Sequence, residues 1–274
     1  MLEGNVDHPP ARLSDSEHDP ALERAWRLVG EGRMAEAEVR LDALLERLPE
    51  SRTAWLMKAT ARFHRGNYSG GVESSQRAID LDPSDPRGWV SKGLCLAEAG
   101  MNEAAIGCYT SAIQQQDDHA TAWRETGKSY GRLGRHEEAV RAFNRSRDAD
   151  PEALETWYSL ALSLVDLGRL DEALACYDKA LLIAPRDADT WSARAIIFLR
   201  LANDALQKTD AEQRVPGLFY LREALRNLDN ALTIDPEHDL AQRNRIPLVQ
   251  KFGDILNTIP SLEGMPDVQS LPQQ

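Results

Sequence analysis

The sequence predicts an all-α solenoid of antiparallel helix pairs, and three observations predict it. Five of the six tryptophans, Trp55, Trp89, Trp123, Trp157 and Trp191, stand 34 residues apart at every step. Small residues recur on both sides of each tryptophan in the same register. Glycine and proline punctuate the register at fixed places. A period of this size marks stacked supersecondary units, each burying its apolar face against its neighbours. The 274 residues are therefore expected to hold one repeat array, with a cap and two tails, rather than two globular domains.

With tryptophan placed fourth in each repeat, position 8 is Ala59, Gly93, Gly127, Ala161 and Ala195, and position 20 is Gly71, Ala105, Ala139 and Ala173. Small side chains at 8 and 20 let two antiparallel helices approach closely. Position 15 is Gly66, Gly100, Gly134 and Gly168, where the first helix must stop and a left-handed residue is needed. Acidic pairs such as Glu137-Glu138 and Asp171-Glu172 follow, as suits the positive end of a second helix. Position 24 carries Ser75, Tyr109, Phe143 and Tyr177. Pro83, Pro151 and Pro185 at position 32 end the second helix.

This pattern resembles the tetratricopeptide repeat, most closely over residues 52–187, and the resemblance implies a right-handed superhelix. Six copies are expected over 18–238: 18–51, 52–85, 86–119, 120–153, 154–187 and 188–238. The first lacks tryptophan at its fourth position, where Ala21 stands, but keeps Ala25, Leu28, Gly32, Ala37, Leu41, Leu44 and Pro49 in register. Asp19-Pro20 reads as an N-cap followed by a first helical residue. The sixth copy has an insertion near 203–219, with Ala224 arriving 17 residues late. Apolar spacing continues through Leu201, Ala205 and Leu206, and Pro216 can open the second helix early. A taller hairpin with a polar tip near 208–214 is the favoured reading, and an irregular loop the alternative. Residues 239–258 are expected to form a capping helix, kinked or split by Pro247. Residues 1–17 and 259–274 are polar, punctuated by Pro and Gly, and are expected to be mobile.

The resemblance implies a concave groove lined by positions 2, 5, 6, 9, 12 and 13 of the first helices, and binding of a peptide or helix from a partner protein. On that register the candidate groove residues are Leu56, Met57, Phe63, Arg87, Leu94, Arg124, Lys128, Arg132, Tyr158, Leu162 and Val165. Residues 120–153 hold seven basic and six acidic residues, a net +1, whereas 154–187 hold three and six, a net −3. Arg124, Lys128 and Arg132 thus form either a basic patch for an acidic segment with apolar anchors or a solvated helix face paired with Glu125 and neighbouring acids. On the first reading, Arg124→Glu with Lys128→Glu weakens binding and leaves the melting temperature nearly unchanged. The carboxylate clamp of chaperone-binding family members is not matched in any window; the first would need lysine or asparagine where Leu56, Thr60 and Ser91 stand.

Other chemistry finds little support. The 32 basic against 44 acidic residues give −12, a poor footprint for nucleic acid. The N-terminal residues lack a basic stretch followed by an apolar one, so no secretory signal is expected, and no apolar run is long enough for a membrane span. Three cysteines at no metal-like spacing fit a reducing, cytoplasmic setting. No two histidines stand at i, i+4, the spacing of a helical metal pair. The expectation is a non-catalytic adaptor or scaffold without cofactor or metal, with a monomer favoured and the oligomeric state left open. The alternatives are a self-assembling structural protein, or an accessory subunit of an enzyme docked through 203–219.

Overall fold

The computed structural model describes residues 19–208 and 211–258, with the side chains of 211–215 and 253–258 left aside. The expected mobile segments 1–17 and 259–274, and residues 209–210 of the tip at 208–214, lie outside what is described. Among the described residues there are thirteen α-helices and no strand. The fold is an all-α solenoid of helix hairpins; each helix packs on the next within residues 20–149, and again within residues 170–258. The chain divides into two compact units, 1–156 and 157–274.

The first unit holds α1 (Pro20–Gly30), α2 (Met34–Arg47), α3 (Arg52–His64), α4 (Tyr68–Leu81), α5 (Pro86–Glu98), α6 (Asn102–Gln115), α7 (Ala120–Arg132), α8 (His136–Ala149) and the start of α9 (Leu154–Asp166). Odd helices are the first of each pair. They stop just before Gly32, Gly66, Gly100 and Gly134, with φ between 71° and 81°. The next residue's N–H then reaches back five residues, as from Arg33 to Leu28 and from Arg135 to Tyr130, both 2.9 Å. That bond satisfies a carbonyl the helix end would otherwise strand. The first helices from α3 to α7 are capped by Ser51, Asp85 and His119, each accepting an N–H from the first turn. Two second helices use another device. Arg33 grips Glu36 and Arg135 grips Glu138 through paired short bonds, in place of a side-chain cap.

The tryptophan period has a hydrogen-bonding cause. The indole N–H of Trp55, Trp89 and Trp123 donates to the carbonyl of Pro49, Pro83 and Asp117, at 2.8, 2.9 and 2.7 Å. Each bond ties a first helix to the turn closing the preceding repeat. Two of the small residues at position 8 face aromatic rings. A Cβ on Gly93 would lie 2.4 Å from the ring of Tyr109, and one on Gly127 would lie 2.7 Å from Phe143. Both rings are buried.

Tyr109 and Phe143 occupy the same place in successive repeats, but the buried Tyr109 hydroxyl has no hydrogen-bond partner. A buried hydroxyl without a partner costs about 1–3 kcal/mol. Tyr109→Phe, copying the neighbouring repeat, is therefore expected to raise unfolding free energy by about 1 kcal/mol. Urea denaturation followed by circular dichroism checks this, and a loss of stability would show that the hydroxyl is satisfied.

The second unit holds the rest of α9, then α10 (Leu170–Ile183), α11 (Ala188–Leu206), α12 (Ala211–Ile234) and α13 (Asp239–Thr258). Tyr177 packs edge-on against Tyr158 at 5.6 Å, and Trp191 donates to the Pro185 carbonyl at 3.0 Å. The inserted stretch is helical on both sides of 209–210: α11 has 19 residues and α12 has 24. Gly217 lets α12 close on α11, since a Cβ there would lie 2.7 Å from Leu206. Pro216 lies inside α12 rather than opening it, and Pro247 lies inside an unbroken α13. Each proline removes one backbone donor. Packing on both sides, by Gly217 on Leu206 and by buried Leu248 in the core, holds these helices through that loss.

Candidate functional site

The first helices of the first unit touch in succession, α1 on α3, α3 on α5 and α5 on α7. They share one face, on which Leu56 and Phe63 of α3 and Leu94 of α5 are partly exposed. Phe63 is supported edge-on by His64 at 5.4 Å. Met57 does not belong to this face. It is 5% exposed and sits in the core with Leu41, Leu44 and Leu45. Its flexible thioether fills the seam between repeats, which corrects its assignment to the groove.

The cations on α7 are all engaged. Arg124 pairs with Glu125 at 3.3 Å and with Glu155 at 3.2 Å. Lys128 pairs with Glu125 at 3.1 Å and makes a very short contact with Glu155. Arg132 bridges to Glu98 of α5 at 2.6 Å and donates to the Ala97 carbonyl. Arg87 is turned back on Asp85 at 2.8 Å, beside the cap of its own helix. The α7 group therefore sets three cations against Glu98, Glu125 and Glu155. Of the two readings open from the sequence, a basic patch or a helix face paired with Glu125 and neighbouring acids, the ion pairs correspond to the second, a balanced ionic lattice. Glu155 is hidden from a charge count by repeat, because it is the second residue of the next copy and reaches back onto α7.

The lattice is layered. Arg124 is 18% exposed and Lys128 28%, whereas Glu155 is 54% exposed and covers both from the solvent side. Burial disfavours the Glu155 carboxylate charge, but the Lys128 hydrogen bond and the charges of Arg124 and Lys128 outweigh it, and its pKa falls below the ordinary value. Asp85 is lowered as well, with burial opposing and Arg87 prevailing. A lowered carboxylate contributes stability above its unfolded-state pKa, and loses it as pH falls through the folded value.

In the second unit, Tyr158, Leu162 and Val165 lie on α9. Leu162 is 43% exposed, and Tyr158 and Val165 are partly buried. Burial, joined by the charges of Asp189 and Asp187, raises the Tyr158 pKa. One arrangement here mimics a hydrolytic triad: Ser192 Oγ lies 3.3 Å from His238 Nδ1, and His238 Nε2 lies 3.0 Å from Asp189. Ser192 is fully buried, and Nδ1 also accepts the Ala241 N–H at 3.2 Å. The histidine is the N-cap of α13, as His119 is of α7, and the serine is closed to a substrate. Among the described residues no group of three or more His, Cys, Asp or Glu could hold a metal ion, and no helix is long and apolar enough to cross a membrane.

The sequence matches the tetratricopeptide repeat family over residues 22–86, 90–153, 124–189 and 158–207. No curated protein matches it. Solved structures share the fold at low identity. YrrB, described as a repeat protein of this kind with an unusual peptide-binding site, is 18% identical with a TM-score of 0.55, over 75% of this chain and 97% of that one. TTC0263, a thermophilic protein of Thermus thermophilus, is 23% identical with a TM-score of 0.56, over 65% and 97%. PilW, a widely conserved type IV pilus biogenesis factor, is 15% identical with a TM-score of 0.68, over 82% and 96%.

Proposed function

The chain belongs to the tetratricopeptide repeat family, a protein-interaction fold, and on that premise we propose that it is a non-catalytic cytoplasmic adaptor that binds a segment of a partner protein on the first-helix face of residues 52–156. The observation that carries the reading is the composition of that face. Half-buried Leu56, Phe63 and Leu94 supply apolar contact. The adjoining lattice of Arg124, Lys128 and Arg132 supplies charge-assisted hydrogen bonds. The peptide-binding site named for YrrB is in keeping with this use of the fold.

The lattice changes how an acidic ligand is recognised. A carboxylate reaching Arg124 and Lys128 replaces Glu155, so it exchanges one ion pair for another. Charge then sets register and selectivity more than affinity, and the apolar anchors carry most of the binding energy. Thr60 on α3 and Thr121 on α7 are partly exposed at groove positions and offer places to block the face with little harm to the core. Capture from native lysate with the unaltered chain, Thr60→Arg and Thr121→Arg is the test. A partner retained by the unaltered chain is expected to be lost, by tenfold or more, from both variants at unchanged helicity. Equal retention by all three overturns the assignment of this face.

A further inference from the structure

Three seams between helices share one contact. In each, a cation on one helix pairs with an aspartate sixteen residues earlier, on the helix before it. Lys58 of α3 pairs with Asp42 of α2 at 2.5 Å, Arg194 of α11 with Asp178 of α10 at 2.9 Å, and Arg245 of α13 with Asp229 of α12 at 2.5 Å. Lys58 is 11% exposed and Arg194 18%. A cation so far withdrawn from water needs a countercharge, and these seams supply it as a carboxylate from the same place each time.

The seam between α4 and α5 keeps the cation and lacks the acid. Lys92 stands 34 residues after Lys58, and Gln76 stands 34 residues after Asp42. The next two copies have Thr126 and Leu160 at this place, which need no countercharge. Lys92 is partly buried and makes no ion pair among the described residues; its ammonium donates to the Gln76 side-chain carbonyl at 2.6 Å. The Gln76 amide donates onward to Asp80 at 2.7 Å, so Asp80 meets Lys92 only through a neutral side chain. Arg77, the next residue of α4, is exposed and also makes no ion pair among the described residues. Val72, Glu73, Gln76, Arg77 and Lys92 line an open cleft of about 520 Å³. Its one lining acid, Glu73, is 79% exposed and lies 3.8 Å from Arg62. Two cations therefore share the cleft without a carboxylate of their own.

We propose that this cleft is a contact site for a partner protein, which inserts an aspartate or glutamate side chain between Lys92 and Arg77. The other seams supply the template. At this place the repeat accepts a carboxylate beside its cation, and here the chain provides an amide instead. Val72 and the methylene stems of Lys92 and Arg77 suit the aliphatic part of such a side chain, and the two cations suit its charged end. None of the five lining residues is among the candidates for the first-helix face. The site therefore stands whether or not that face binds.

Titration of the full, nitrogen-15-labelled chain followed by nuclear magnetic resonance tests this. The probe is N-acetylglutamate amide, whose one charge is the side-chain carboxylate. Inorganic phosphate and sodium chloride are titrated separately at matched ionic strength. The probe is expected to give saturable shifts confined to the amides around Gln76 and Lys92, the Gln76 side-chain amide among them. Gln76→Asp rebuilds the pair of the other seams. It is expected to abolish those shifts at an equal or higher melting temperature. Lys92→Gln is expected to abolish them at unchanged helicity. The proposal is overturned if the probe gives no saturable shift, if chloride reproduces the shifts, or if they survive Gln76→Asp or Lys92→Gln. Tighter binding of phosphate than of the probe also overturns it, because the cleft then takes a phosphate group and not an acidic side chain.

Discussion

Phe143→Ala is expected to lower unfolding free energy by about 3–5 kcal/mol, the range for removing a buried aromatic side chain. Gly127→Ala alone is expected to cost about 1–3 kcal/mol, because its methyl must displace a ring that has no room to move. Combined, the two are expected to cost clearly less than their sum. The methyl added at position 127 enters the cavity left by the ring, whereas with the ring in place the two would meet at 2.7 Å. Such non-additivity is the mark of direct contact. Denaturant melts of the two single variants and the double variant measure it. Additive costs would mean that position 8 and position 24 do not oppose each other as the repeat requires. Gly93 and Tyr109 repeat the arrangement one copy earlier, so the same cycle there should give the same sign.

The second large effect concerns the ionic lattice. Arg124→Glu with Lys128→Glu gathers four carboxylates, at 124, 125, 128 and 155, around sites that are mostly covered. The basic-patch reading of the sequence predicts weaker binding at a nearly unchanged melting temperature. The structure predicts a loss of about 2–4 kcal/mol, because both cations pair with the same two acids and their removal leaves Glu125, only 12% exposed, without a countercharge. The loss should shrink below about pH 4, where protonation relieves the repulsion. The unaltered chain follows the opposite course. The lowered pKa of Glu155 and Asp85 means that their stabilisation is complete above the unfolded carboxylate range, about 4, and fades as pH falls through their folded values. Melting temperatures of both proteins from acid to neutral pH check the two signs together.

These two cases show which parts of the molecule a sequence reveals. The 34-residue period, the left-handed glycines and the facing small and aromatic positions are legible because each is a backbone or steric requirement that repeats in register. The reason for tryptophan, its N–H bond to the preceding turn, is not legible, since the acceptor is a carbonyl and leaves no side-chain signature. Met57 is misassigned from sequence because groove and seam positions are adjacent on one helix and both tolerate apolar residues. Glu155 escapes notice because counting charge by repeat stops at a boundary that side chains cross.

The central claim is that a partner lies along the first-helix face of residues 52–156, and site-specific photo-crosslinking tests it most directly. A photoactivatable side chain is placed at Thr60 on that face and, for comparison, at Val39 on α2, and each protein is irradiated in native lysate. One discrete partner adduct is expected from position 60 and none of that mass from position 39. Adducts of the same mass from both positions, or from position 39 alone, would contradict it.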